Sequence, residues 1–490
     1  MGKKISIIGS GFSSLASACY LAKNGYEVTV YEKNSSLGGR ARQFSKKGFT
    51  FDMGPSWYWM PDVFDKFFND FGKETKDFYK LKKLNPAYKV YFGENDSISI
   101  EDSLEKIKKV FESEEKGSAK KLEEFISNAK ENYAIAVTDL LYKMPGLSPL
   151  ELITKKTVLK AGSFLSNIRK EVRKRFKNKK LRSILEFPVL FLGAKASNTP
   201  AFYNFMNYAD FGLGTWQPEN GFYDVVQAMV DLGKSFGVKY LTNHEISSIN
   251  IKNSKVESLT INNSEFESDI VLSGADYAHT ETLLSSNYRQ YSNKYWSKKT
   301  WAPSSLLFYV GFDKKISDVA HHNLFFDTNF DDHAVDIYDK PKWPKDPLFY
   351  ANFTSKTNSK TAPKGCENGF FLIPLATNLE DNDEFREKYF NIIITRLEKL
   401  TNQKLKNNII FKESFCVNDF IKDYNSYGGN AYGLANTLFQ TAFLRPKIKS
   451  NKLKNLYFSG QLTVPGPGVP PAIVSGKLVS DLILKDEKVI

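Results

Sequence analysis

One stretch near the N-terminus restricts the fold of this 490-residue chain more than any other. It is KISIIGSGFSSLASACYLAKNGYEVTVYEKN, residues 4–34. The apolar run Ile5–Ile8 predicts a buried strand, Gly9 and Gly11 predict a tight turn, and small and apolar residues follow at helical spacing. A second apolar strand ends at Glu32. This order of strand, glycine turn, helix and strand predicts a Rossmann-like α/β unit.

The residue types of this turn suit the binding of a dinucleotide. Gly9 allows the sharp turn, and Gly11 leaves room for a pyrophosphate against the free N–H groups at the helix N-terminus. Glu32 stands where a carboxylate accepts hydrogen bonds from a ribose. The third position of the motif is Ser14 rather than glycine, and serine is small enough for close packing of the helix on the strand. This part of the predicted site is completed by the neighbouring residues Phe12, Ser13 and Lys33.

A second glycine-rich stretch, Leu37–Arg40, follows soon after Glu32 and indicates a long cofactor. The segment GFTFDMGP, residues 48–55, comes next. A glycine pair beside an arginine, just past the first ribose-binding carboxylate, suits a pyrophosphate and flavin that extend beyond the first βαβ unit. The sequence therefore predicts FAD rather than NAD, with Gly39, Arg40, Gly54 and Pro55 in the cofactor site.

With these motifs the sequence resembles the FAD-dependent carotenoid desaturases of the bacterial phytoene desaturase type. Their opening pattern is a glycine-rich turn, an acidic strand end, GGR and then GFxFDxGP. The resemblance continues to the C-terminus through VLSGAD (271–276), GNAYGLANTLFQTAFLRP (429–446) and GQLTVPGPGVPPAIVSGK (460–477). It implies that Ile246 packs on the adenine and that the last stretch holds the flavin through Gly460, Gln461, Val469 and Pro470.

The proline–glycine stretch near the C-terminus is the most specific of these motifs. We expect Gly460 to end a buried strand and the turn after it to present backbone to the flavin ring. Pro470 and Pro471 are suited to the first turn of a helix. We expect free N–H groups at Ala472 and its neighbours to point at the flavin, where a helix N-terminus stabilises negative charge. Because residues 460–476 contain no cysteine, the sequence predicts non-covalent FAD.

The fold class that follows is α/β, with a Rossmann-like FAD-binding domain of the flavin amine oxidase and glutathione reductase kind. A mixed-sheet substrate domain and a helical membrane-facing part complete it. The expected division is FAD-binding segments at 1–68, 199–276 and 431–490, a helical substrate region at 69–198 and a strand-rich substrate domain at 277–430.

The resemblance implies a reaction in which phytoene is dehydrogenated to a lycopene-type product by hydride transfer to the flavin. The sequence contains one dinucleotide fingerprint, so we expect oxygen or a quinone, rather than a nicotinamide, to reoxidise the flavin. No residue pattern identifies a catalytic base, and Asp210 and Tyr432 are the weak candidates. The alternatives are a desaturase of a later or hydroxylated carotenoid, a carotenoid cis–trans isomerase, an amine oxidase and a non-enzymatic binding protein.

The net charge of +13 is concentrated in one segment. Residues 155–182 contain twelve basic residues and one acid, with apolar residues between them. Such a segment can lie on an anionic membrane, although a solvated helix face or a nucleic-acid patch has the same composition. We expect membrane contact, no nucleic acid and no metal site. Three distant cysteines, no signal segment and no apolar run of about eighteen residues predict a cytoplasmic, peripherally membrane-associated protein.

Overall fold

The computed structural model describes residues 2–488. The strands run in chain order as β1 (Lys4–Ile8), β2 (Glu27–Tyr31), β3 (Gln43–Lys46), β4 (Phe49–Asp52), β5 (Leu81–Lys83), β6 (Tyr88–Gly93), β7 (Asp96–Ile100), β8 (Trp216–Pro218), β9 (Lys239–Leu241), β10 (Ile246–Lys252), β11 (Lys255–Ile261), β12 (Ser264–Glu267), β13 (Ile270–Ser273), β14 (Ser304–Phe312), β15 (His322–Phe325), β16 (Phe349–Asn352), β17 (Glu367–Leu375), β18 (Ile409–Phe415) and β19 (Leu456–Phe458).

The α-helices are α1 (Phe12–Lys23), α2 (Pro61–Asn69), α3 (Leu104–Glu114), α4 (Ser118–Tyr133), α5 (Lys155–Leu159), α6 (Ala161–Leu165), α7 (Ile168–Arg175), α8 (Lys179–Glu186), α9 (Phe205–Phe211), α10 (Tyr223–Ser235), α11 (Tyr277–Thr282), α12 (Asn293–Ser297), α13 (Phe330–Tyr338), α14 (Asp383–Thr401), α15 (Val417–Tyr424) and α16 (Val469–Lys488). A π-helical turn, Ala134–Leu141, continues α4.

A parallel five-stranded sheet forms the first half of the molecule, with the strand order β19-β13-β1-β2-β9. Helix α1 packs against α16 and α10. The fold is the α/β arrangement that the sequence predicts, and β19 from the C-terminal part of the chain pairs with β13, the neighbour of β1. Ligands of such sheets bind outside the carboxyl ends of the strands, so the glycine turn after β1 and the end of β2 mark the relevant edge.

A mixed seven-stranded sheet forms the second half, with the order β18-β14-β17-β16-β15-β6-β7. Strand β14 is buried along its whole length. Leu306, Phe308 and Val310 pack in one cluster with residues of α14, and the intervening Leu307 lies on the other face. Strands β5, β6 and β7 come from within residues 69–198, so the expectation that this region is helical is wrong at residues 81–83 and 88–100.

The basic segment 155–182 is helical. The apolar residues of its second half face inwards, whereas Val158, Leu159 and Leu165 in its first half are exposed. Ile168, Val172, Phe176 and Leu181 are fully buried. Several of its cations are held in ion pairs inside the molecule: Arg169 and Arg173 with Glu186 and Asp331, Arg175 with Glu171, and Lys180 with Asp96 and Glu114. Within residues 2–488, no helix combines the length and apolarity needed to cross a bilayer.

The division of the chain at residues 68, 198, 276 and 430 stays a prediction. A further antiparallel sheet, β10-β11-β12, lies between β9 and β13 in the sequence. The two large sheets are each assembled from distant parts of the chain, and the candidate site lies between them.

Candidate active site

One continuous cavity of about 880 Å³ is lined by described residues of both halves of the molecule. At one end its wall is the glycine turn after β1 and the loop that follows β2. At the other end its wall is the seven-stranded sheet, α13 and the π-helical turn. Of the residues that the sequence assigns to the cofactor, all but Ser14 line this cavity: Gly9, Gly11, Phe12, Ser13, Glu32, Lys33, Gly39, Arg40, Gly54, Pro55, Ile246, Gly460, Gln461, Val469 and Pro470.

The glycine turn forms an open cradle at the N-terminus of α1. Gly9 has φ +83°, a conformation that suits glycine, and its N–H donates to Tyr31 O at 2.8 Å, which joins the turn to β2. A Cβ atom built on Gly11 meets no atom within 4 Å. The space next to Gly11 is therefore free for a ligand, and the N-terminus of α1 favours an anion there.

Glu32 is buried at the end of β2, with 4 % of its surface exposed. One carboxylate oxygen accepts from the Ser10 N–H at 3.0 Å and the Ser10 hydroxyl at 2.6 Å, and the other accepts from the Asn34 N–H at 2.9 Å. These bonds hold the carboxylate in place beside the cradle. A fixed carboxylate next to an open helix N-terminus fits the ribose and pyrophosphate of a dinucleotide.

Ser14 lies behind the cradle rather than on it. Its Oγ is 2.0 Å from the position that a Cβ on Gly274 would take. Ser14 thus packs α1 against the loop after β13, which agrees with the packing role that the motif gives to a small residue.

Arg40 brings a buried cation to the cavity wall. Its Nη2 donates to Asn430 O at 3.1 Å, its guanidinium lies 4.9 Å from the centre of the Tyr424 ring, and its buried Nε has no hydrogen-bond partner. Burial lowers the pKa of Arg40, although Arg40 remains cationic near neutral pH. Glycine lets neighbouring backbone segments approach each other here. A Cβ on Gly54 would lie 2.6 Å from Arg40 O, and a Cβ on Gly39 would lie 3.2 Å from Gly11 Cα. An incompletely bonded arginine beside the cradle fits a phosphate ligand.

The proline–glycine turn follows β19 as the sequence predicts. Gly460 has φ +102°, and its N–H donates to Ser475 Oγ at 3.0 Å; Gly466 and Gly468 also have positive φ. The expectation of a free N–H at Ala472 is wrong, because this group donates to Gly468 O at 3.0 Å. Pro470 and Pro471 have no N–H, so the backbone donor left at the start of α16 is that of Val469.

The sheet end of the cavity is apolar and aromatic. Its wall includes Trp57, Phe187, Leu307, Leu324, Phe326 and, from the π-helical turn, Val137 and Leu140. Of the two weak base candidates, Tyr432 lines the cavity and Asp210 does not; Asp210 is buried and accepts from the Tyr88 hydroxyl at 2.7 Å. The wall can bind a long apolar molecule and exclude water from it.

Sequence reasoning missed several polar residues at the nucleotide end. His244, Asp276, His279 and Asn425 line the cavity there. The Asp276 carboxylate accepts from the His279 N–H at 3.2 Å and the Tyr427 N–H at 3.3 Å. Asp276 follows β13, and its position after a buried parallel strand was the signal that could have identified it.

The rings of the adjacent residues His321 and His322 lie close together rather than on opposite faces of a strand. The ring centres are 4.4 Å apart in an edge-to-face contact. The reason is that β15 begins only at His322, so His321 does not follow the alternation of a strand.

Comparisons with known proteins agree with this geometry. The sequence matches the family described as flavin-containing amine oxidoreductase over residues 12–484. It is 38% identical over 490 residues to the carotenoid 3,4-desaturase of Haloarcula japonica, covering 99% of both chains. It is 31% identical over 502 residues to a 4,4'-diapophytoene desaturase of Staphylococcus haemolyticus, covering 98% of this chain and 99% of the relative.

Solved structures with the same fold have much lower sequence identity. An oxidoreductase from Methanosarcina mazei aligns over 98% of this chain and 100% of its own, with a TM-score of 0.61 at 16% identity. The cyclohexylamine oxidase of Brevibacterium oxydans aligns over 100% of both chains, with a TM-score of 0.59 at 12% identity. At these identities the likeness concerns the fold alone.

Proposed function

Because the chain belongs to the flavin-containing amine oxidoreductase family and is an FAD-dependent oxidoreductase of the carotenoid desaturase type, we propose that it dehydrogenates phytoene to a lycopene-type carotenoid. The observation that carries this proposal is the single cavity that joins the dinucleotide cradle to an apolar, aromatic wall. A small polar amine would not need such a wall, whereas a polyene would fill it.

We propose that the cradle residues hold FAD. The open space at Gly11 and the N-terminus of α1 suit the pyrophosphate, with Arg40 as a second source of positive charge. Glu32 is placed to bind a ribose and Ile246 to contact the adenine, and the turn 460–470 contributes backbone at the far end. Bound FAD supplies the acceptor for a hydride from the substrate.

The apolar wall orients the substrate and excludes water. Trp57 and Phe187 pack with ring centres 5.7 Å apart, and Leu307 and Leu324 extend the wall along the sheet. A polyene held in one position presents one CH₂–CH₂ unit to the cofactor, which accounts for much of the rate enhancement in a reaction without a strong nucleophile.

A second candidate is the desaturation of a carotenoid that is already conjugated or hydroxylated. Two observations favour it: the higher of the two identities is to an enzyme named as a carotenoid 3,4-desaturase, and Ser305, Tyr338 and Tyr432 add hydroxyl groups to the cavity wall. Hydroxyl groups of this kind can hydrogen-bond a substrate hydroxyl that phytoene lacks.

Co-expression with a phytoene-producing pathway tests both candidates. We expect phytoene to disappear and a coloured polyene to accumulate, with the absorption maximum reporting the number of double bonds. If phytoene remains while the purified protein carries FAD, phytoene is not the substrate, and conjugated and hydroxylated carotenoids are supplied next. If the protein converts none of these carotenoids, the proposed function is wrong.

We further propose that the mouth of the cavity contacts a membrane surface. Phe164, Phe439 and Leu444 line the cavity, and Phe439 is 79 % exposed. More exposed apolar residues belong to the segment 147–165 beside it, namely Leu147, Leu150, Ile153, Val158, Leu159 and Leu165. The Lys447 ammonium group donates to Gly146 O at 2.6 Å and ties the two segments together. An apolar substrate could then pass from lipid to cavity without crossing water, with oxygen or a membrane quinone as the electron acceptor.

A further inference from the structure

A chain of hydrogen bonds runs from the cavity wall into the seven-stranded sheet. Ser56 Oγ lies 2.9 Å from Tyr350 Oη, and Tyr350 Oη lies 2.6 Å from His322 Nδ1. Ser56 and Tyr350 line the cavity, while His322 is fully buried behind them. The chain begins next to Gly54 and Pro55, which the sequence assigns to the cofactor site.

The groups that hydrogen-bond to the His322 imidazole determine which member of the chain donates and which accepts. The Asn352 amide donates to His322 Nδ1 at 3.1 Å, so Nδ1 carries a lone pair and the proton of the neutral ring is on Nε2. Tyr350 therefore also donates its hydroxyl proton to Nδ1, whose one lone pair it shares with the more distant Asn352 amide. The oxygen of Tyr350 is left to accept the proton of the Ser56 hydroxyl, and the oxygen of Ser56 is left to accept from the cavity.

The surroundings keep the imidazole neutral and fixed. Trp57 stacks on His322 with ring centres 4.1 Å apart and an interplanar angle of 9°. Burial lowers the pKa of His322 well below its ordinary value, with the adjacent His321 adding to the effect. Strands β15 and β16 pair directly at His322 and Asn352, which sets the spacing of the two side chains.

We propose that Ser56, Tyr350 and His322 accept the proton that the substrate loses, an inference that rests on the proposed desaturase function. Each new double bond requires that one carbon gives up a hydride and the neighbouring carbon gives up a proton. The second C–H bond breaks, and its electron pair becomes the new π bond. The proton binds to Ser56 Oγ, the Ser56 proton moves to Tyr350 Oη, and the Tyr350 proton moves to His322 Nδ1, which becomes an imidazolium.

A weak base is sufficient for this step. Loss of the hydride leaves an allylic cation, and a C–H bond beside such a cation is strongly acidic. The position of the acceptor therefore matters more than its basicity. Because burial disfavours the imidazolium, the proton returns along the same chain to the cavity after the product has left, and the chain is restored.

The first test is the protonation state of His322, which does not depend on activity. Nitrogen-15 spectra of the flavin-loaded protein labelled at its five histidines should show His322 protonated on Nε2, with an Nδ1 signal that shifts in Tyr350→Phe. A proton on Nδ1 of His322 would overturn the proposal, since Tyr350 could not then donate to it.

The second test is single-turnover desaturation with a carotenoid deuterated at the carbon that loses the proton. In Tyr350→Phe and His322→Gln we expect FAD content and substrate affinity to be retained and the desaturation rate to fall about 100-fold. The deuterium isotope effect should increase, because proton loss becomes rate-limiting. Tyr91→Phe is the matched control: it removes a tyrosine hydroxyl from β6 of the same sheet, away from the cavity, and should leave the rate and the isotope effect unchanged.

A wild-type rate and isotope effect in Tyr350→Phe would overturn the proton chain while leaving the desaturase function intact. A wild-type protein that desaturates none of the carotenoids supplied would instead overturn the proposed function, and the role of the chain with it. Weaker substrate binding with an unchanged isotope effect would assign Tyr350 to substrate binding and also contradict the proposal.

Discussion

At Gly11, a larger side chain is compatible with the fold but not with the predicted position of the cofactor. It has φ −69° and ψ 171°, which any residue adopts, and a Cβ there meets no atom within 4 Å. We therefore expect Gly11→Ala to leave the melting temperature unchanged. The added methyl group would occupy the space that we assign to the pyrophosphate, so the Kd for FAD should rise at least about tenfold, as measured by titration of the apoprotein.

Gly162→Ala is the matched control for this prediction. Gly162 is a helical residue whose added Cβ also meets no atom within 4 Å, but it does not line the cavity. This variant should bind FAD like the wild type. Equal affinities in the two variants would show that the pyrophosphate does not lie against Gly11.

Asp210 gives a prediction for stability as a function of pH. Burial raises its pKa to about 8, and the Tyr88 hydroxyl donates to it. Since the carboxyl binds its proton more tightly in the folded state, the folded protein loses stability as pH rises from about 4 to about 8, by up to about 1.4 kcal/mol per pH unit from this group. Asp210→Asn cannot ionise, so its melting temperature should rise relative to wild type between pH 5 and pH 8.

Asp332→Asn is the control for the pH dependence. Asp332 is exposed in the first turn of α13, so its replacement should change the melting temperature by a constant amount over the same range. The difference in melting temperature between Asp210→Asn and the wild type could also be constant from pH 5 to pH 8. Asp210 would then be ionised in the folded protein at pH 5, which would contradict a pKa raised by burial.

At the scale of elements, the packing of α16 on α1 connects the C-terminus to the glycine turn. A Cβ on Gly476 would lie 2.5 Å from Ser13 O and 2.7 Å from Ala16 Cβ. Gly476→Ala should therefore lower the free energy of unfolding by about 1–3 kcal/mol, measured by denaturant titration. It should also weaken FAD binding, because Ser13 lies on the wall of the cavity. An unchanged free energy of unfolding would mean that α1 and α16 can move apart without loss of stability.

The elements that the sequence predicted best are those with local signals. The β1–α1–β2 unit combines a glycine turn with two distinct hydrophobic periods, and it forms as expected. Strands β6 and β7 were missed because they form one short hairpin among helical patterns, and β6 gains its second partner, β15, only through tertiary pairing. The N–H of Ala472 was misjudged for a geometric reason: α16 begins at Val469, which leaves Gly468 O free to accept from Ala472.

At the scale of the molecule, motifs at the two ends of the chain predict one cofactor site, but not the shape of the cavity beyond it. That wall is formed by residues from β14, β15, β16, α13 and the π-helical turn. In the sequence, these residues have the apolar pattern of an ordinary hydrophobic core. The chain of Ser56, Tyr350 and His322 was equally hidden. The register of β15 and β16 brings His322 and Tyr350 together, and Ser56 joins them from the segment after β4. Side chains that are brought together by strand pairing have no characteristic spacing in the sequence.

The position of the cavity mouth determines which residues can test the proposed membrane contact. Replacing Arg169 and Arg173 would break ion pairs with Glu186 and Asp331, and any loss of lipid binding could then come from altered structure. Leu159 and Leu165 are 85 % and 87 % exposed, so Leu159→Asp with Leu165→Asp should leave the melting temperature unchanged. The double variant would remove the burial of apolar side chains in the lipid interface that we propose for this surface.

We therefore expect the Leu159→Asp, Leu165→Asp variant to sediment less with phosphatidylglycerol vesicles and to desaturate carotenoid supplied in those vesicles more slowly. Its FAD content and its rate on detergent-dispersed carotenoid should match the wild type, because the cavity itself is unchanged. Ile421→Asp is the control, since Ile421 is 44 % exposed on α15, which contributes Tyr424 to the nucleotide end of the cavity. If both variants bind vesicles like the wild type, the substrate must reach the cavity without docking of this surface on a membrane.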